Sequence, residues 1–91
     1  MPKETLTENP QILIYKGVLN LEVNNTSEAI KSFQQLLNSN SIDAFKAHWY
    51  LALTYLKTEE NKLALKELKL LTSKTKVFKN KEANNLIKEL Q

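Results

Sequence analysis

Displaced against itself by 35 residues, the 91-residue sequence falls back onto its own pattern. Ile14 meets Trp49, Gly17 meets Ala52, Val18 meets Leu53 and Leu21 meets Leu56; further on, Ala29 meets Ala64, Phe33 meets Leu68 and Leu36 meets Leu71. The same displacement carries His48, Leu51, Ala52 and Tyr55 onto Ala83, Leu86, Ile87 and Leu90. Repetition at such a period marks stacked helical units, none of which can bury its apolar face alone. One Gly and two Pro leave few places for tight turns, which favours long elements over turn-rich sheets.

The spacing of apolar residues predicts five helices. Asn9-Pro10 is a start signal, because Asn caps free amides and Pro suits the first helical position. Leu13, Ile14, Gly17, Val18 and Leu21 then form one face, and Asn24-Asn25 stops the helix. Asn25 and Glu28 predict a capping box for a second helix with the stripe Ala29, Ile30, Phe33, Leu36 and Leu37. A third helix is expected from about Ile42 to Lys57, apolar almost all round, as suits a helix packed on several sides. Leu63, Ala64, Leu65, Leu68 and Leu71 mark a fourth. After a polar loop at 72–77, Ala83, Leu86, Ile87 and Leu90 mark a fifth. The class is all-α.

Antiparallel helices approach closely only where side chains are small, so Gly17 and Ala52 are expected to face Ala29 and Ala64. The second unit, with His48, Leu51, Ala52, Tyr55, Ala64 and Leu68, resembles the tetratricopeptide repeat. The first matches at Leu13, Gly17, Ala29 and Phe33, and departs at Lys16, Asn20 and Ser41; the second departs at Lys76. The resemblance implies two helix-turn-helix units, about 9–41 and 42–76, and a capping helix at about 79–91, in one domain over 1–91. The segment Trp49-Tyr50-Leu51-Ala52-Leu53 is similar to the repeats of tetratricopeptide proteins from Bacteroidetes. That likeness implies the repeat portion of a larger, envelope-associated protein.

Several chemistries lack their residues. There is no Cys, which removes thiol nucleophiles and Cys-ligated zinc, and a single His48 beside a single Asp43 makes neither a metal site nor a triad. The reading is therefore no enzyme, no metal and no cofactor. All 13 basic residues are Lys, and without Arg the cluster Lys74, Lys76, Lys79 and Lys81 reads as a solvated loop rather than a nucleic-acid site. No apolar run approaches the roughly 20 residues of a membrane span. Compartment stays open between cytoplasm and periplasm, including a soluble part of a membrane-anchored protein.

In tetratricopeptide arrays the first helix of each unit lines a concave face. The resemblance places Ile14, Val18, Leu21, Trp49, Leu53 and Leu56 there, so a protein or peptide partner is expected in an apolar groove. Lys and Asn, which clamp a terminal carboxylate in one branch of the family, are missing from these places. The alternative is a structural or self-associating segment, a homodimer whose groove is filled by its own copy. Tyr15 and Tyr50, 35 residues apart, are expected to share a packing role.

Overall fold

The computed structural model describes residues 9–91, and all its regular structure is helical. The order is α1 (Pro10–Glu22), α2 (Thr26–Leu37), a 3-10 turn (Ala44–Lys46), α3 (Ala47–Lys57), α4 (Asn61–Lys74) and α5 (Asn80–Leu90). The helices α1 and α2 form one hairpin, α3 and α4 a second, and α5 packs on α4. The first residues behave as their chemistry requires: the Asn9 side chain accepts from the Ile12 amide at 3.1 Å, with Pro10 opening the helix.

The 35-residue repeat reaches the backbone. Asn24 and Glu59 both take left-handed conformations, with φ of 64° and 62°. The Asn24 and Asn25 amides donate to the carbonyls of Leu21 (3.1 Å) and Asn20 (2.8 Å), and those of Glu59 and Glu60 to Leu56 (3.1 Å) and Tyr55 (2.8 Å). Both hairpins thus turn on the same Schellman closure, and its last residue is already the N-cap of the following helix. A left-handed non-glycine residue costs about 1 kcal/mol, less for Asn. Glu59→Gly is therefore expected to raise stability by about 0.5–1 kcal/mol in urea unfolding, and Asn24→Gly by less. A loss of stability in Glu59→Gly would mean that the side chain, and not the backbone, governs that turn.

Three boundaries differ from the sequence reading. The expected capping box at Asn25 and Glu28 does not form: Asn25 makes no side-chain cap, and Glu28 instead pairs with Lys31 at 3.3 Å. The Asn25 amide that Glu28 would have accepted is already given to Asn20. The third helix starts at Ala47, not near Ile42, which is almost wholly exposed. There the Ser41 hydroxyl accepts from the Asp43 amide at 2.9 Å, and Ser39 bonds Leu36 and Ser41, so side chains take the hydrogen bonds a helix would need. The expected loop at 72–77 begins later, because α4 runs on to Lys74. The break falls at Thr75, whose hydroxyl oxygen accepts from the amides of Val77 and Phe78.

The core has three parts. Leu13, Leu36 and Ala47 join the first hairpin to α3 at one end, and Ala29, Phe33 and Leu51 join them further along. Trp49, Ala52, Leu68, Leu71 and Ala83 form the third, covered by Phe45, Phe78 and the α5 residues Leu86, Ile87 and Leu90. Gly17 faces Phe33: a Cβ there would stand 2.2 Å from the ring, so glycine is what lets the aromatic in. The fifth helix turns Lys81, Glu82, Asn84, Asn85, Lys88 and Glu89 outward, the polar outer face of a terminal unit.

Candidate functional site

The six groove residues are not gathered into one apolar cluster. Ile14 packs beside Leu13 and Leu36, Val18 and Leu21 pack on Ala29 and Phe33, and Leu53 packs on the Trp49 cluster. Leu56 is half-buried. Trp49 departs from the expectation of a partly exposed groove residue: it is 8% exposed and belongs to the core beneath α5. Its ring also lies 5.6 Å from the Lys79 ammonium, a cation–π contact that covers one face. The closing helix and the loop before it have taken the tryptophan out of reach.

Exposed apolar surface lies elsewhere. Along α1, Ile12 is 47% exposed, Tyr15 70% and Leu19 50%, and Val23, the residue that closes the helix, is 70% exposed. These four fall within about 80° of arc at roughly 100° per residue, on the side away from Leu13 and Gly17. So α1 is apolar on two sides, and among the described residues its neighbours cover only one. A shallow groove also runs along α4 between Lys62, Leu65, Lys66, Lys69, Leu70 and Ser73. It is walled by a single helix and brings no set of polar groups together on one point.

The polar groups inside have structural partners. His48 is buried and its Nδ1 lies 2.7 Å from Glu67 Oε1, joining α3 to α4. Burial first, then the carboxylates of Glu67 and Glu60, push the Tyr55 hydroxyl above its ordinary pKa, so the phenol stays neutral. The places equivalent to His48 and Glu67 in the first unit hold Leu13 and Ser32, both buried. The molecule therefore fills one position of the crossing in two ways. His48→Leu alone is expected to lose about 1 kcal/mol, since it leaves Glu67 without its partner. Adding Glu67→Ser should recover most of that loss, and a double-mutant cycle of thermal unfolding reads the coupling. Additive losses would show that the pair does not act as a unit.

Of the lysines read as a solvated loop, Lys74, Lys76 and Lys81 are exposed, and Lys79 lies over Trp49. Among the described residues there is no group of three or more His, Cys, Asp or Glu able to hold a metal ion. No helix among them is long and apolar enough to cross a membrane. Comparison with models of known protein families, with curated proteins and with solved structures returned no match.

Proposed function

We propose that this chain is a tetratricopeptide-type protein-interaction module, and that its principal docking surface is the outer face of α1. One observation carries this reading: Ile12, Tyr15, Leu19 and Val23 form an exposed apolar stripe that no other helix among the described residues covers. The tetratricopeptide assignment draws support from the turn geometry repeated at Asn24 and Glu59. In the tetratricopeptide reading the half-buried Ile14, Val18, Leu21, Leu53 and Leu56 would line the concave side and offer a second contact.

Photo-cross-linking in cells of the source organism tests the reading. With benzoylphenylalanine in place of Tyr15, a discrete adduct of defined mass is expected. It should weaken at least tenfold on adding Leu19→Lys, and it should be missing when the same group replaces Glu89 on the polar face of α5. An adduct of twice the chain's mass would support the self-associating alternative. Equal adducts from both positions, or none from position 15, would sink the α1 surface.

A further inference from the structure

The chain contains its own example of what covers a face like that of α1. Displacement by 35 residues places Ile12, Tyr15 and Leu19 on Ala47, Tyr50 and Thr54 of α3. In α3 that face is closed by α2. Ala47 is buried in one cluster with Leu36, Tyr50 stacks on Phe33 with ring centroids 5.3 Å apart and planes at 20°, and Leu51 packs with Ala29 and Phe33. The pairs run in opposite order along the two helices, so α2 and α3 are antiparallel. Tyr50 has its stacking partner and is half-buried, whereas Tyr15, in the equivalent place, is 70% exposed.

Where the two faces differ, the differences are informative. Ile12 is larger than Ala47, and Leu19 is larger than Thr54. A helix lying as close to α1 as α2 lies to α3 must give volume back where Leu36 packs with Ala47, and must keep a side chain no larger than Ala29 at the other end. Lys16 stands where Leu51 packs, so the likeness runs along the Tyr50 edge of the interface rather than through its centre.

Resting on the reading of α1 as a docking surface, we infer that its partner is an antiparallel amphipathic protein helix. That helix carries a small residue, an aromatic four places on and a second small residue three places after that, and its ring stacks on Tyr15. This is the α2 stripe Ala29, Phe33 and Leu36 with the leucine reduced.

Three helical peptides test it, each spanning residues 26–37 and stapled between positions 31 and 35, which face solvent in α2. They are the native sequence, its Leu36→Ala form and its Phe33→Ala form. Each is titrated into the full 91-residue chain, with affinity read by fluorescence anisotropy and location by amide chemical shifts. The Leu36→Ala peptide is expected to bind tightest, with shifts at Ile12, Tyr15, Leu19 and Val23. Binding should fall at least tenfold with the Phe33→Ala peptide, and as much with Tyr15→Lys in the chain, a variant that is expected to fold because position 15 is exposed. No binding, or equal binding of all three peptides at α1, would overturn the stated chemistry and leave a Tyr15 cross-link to some other partner standing. Shifts centred on Ala47 and Tyr50 would mean that the peptides displace α2, and would overturn it too. So would a chain that sediments as a dimer and becomes monomeric on Tyr15→Lys, since a second copy would then hold the face.

Discussion

Trp49→Ala is expected to destabilise the domain by about 3–5 kcal/mol, the range for emptying an aromatic site in a packed core. The ring is 8% exposed and lies among Ala52, Leu68, Leu71 and Ala83, with α5 folded over it. Removing it takes the surface against which Leu86, Ile87 and Leu90 pack, and leaves Lys79 with no ring beneath it. Domains of this size have about 5–15 kcal/mol in total, so the variant should be partly unfolded under mild heating. Urea unfolding followed by far-ultraviolet circular dichroism measures the loss. A loss under about 1 kcal/mol would return Trp49 to the surface and restore it as a contact residue. Any loss of binding in this variant must be read beside its folding, whereas substitutions at Tyr15 or Leu19 report on contact alone.

The second large effect concerns the crossing of α1 and α2. Alanine at position 17 would favour the helix by about 0.8–1.0 kcal/mol over glycine. Against that, the new Cβ would stand 2.2, 2.5 and 2.8 Å from three carbons of the Phe33 ring, where carbon contacts settle near 3.5–4.0 Å. The ring has little room to retreat, because it is fully buried and stacked on Tyr50. Overpacking of this kind costs about 1–3 kcal/mol, and three contacts this short place it at or above the upper end, so the clash outweighs the propensity. Gly17→Ala should lose about 2 kcal/mol net. The second unit supplies the remedy: it has Ala52 and Leu68 at these two places, buried in one cluster. Gly17→Ala with Phe33→Leu should therefore lie within about 1 kcal/mol of the parent, some loss remaining from the stack on Tyr50. Thermal unfolding of the two single variants and the double variant decides it. A double variant as weak as the sum of its parts would show that glycine is present for some reason other than the ring.

Much of this architecture is legible in the residues because its causes are local. Asn9-Pro10 starts a helix through one hydrogen bond and one fixed angle, and both are visible in the sequence. The stripe Ala29, Phe33 and Leu36 turns inward because it has the helical period, with only the small Ser32 buried beside it. What the sequence hid was competition for the same atoms. The capping box at Asn25 and Glu28 fails because the Schellman closure has taken the Asn25 amide. The third helix starts late because Ser39 and Ser41 hold the chain in turns. Trp49 is harder still, since its burial depends on where Phe78, Lys79 and α5 come to lie, a tertiary matter that no local pattern encodes. The stripe Ile12, Tyr15, Leu19 and Val23 was legible as a period of three, four and four. On a helix with two apolar sides, however, the period alone does not say which side the neighbours will cover.

The three-residue links between α1 and α2 and between α3 and α4 also bear on how the chain reaches this state. Each helix packs chiefly on the one before and the one after it, so no long loop must close before a favourable contact forms. A chain organised in this way has a low contact order and belongs among the fast folders. Either hairpin can form first and serve as the template for the other. Among the described residues, α3 and the 3-10 turn before it pack against both α2 and α4, so the order of assembly is set by whichever neighbour reaches them sooner.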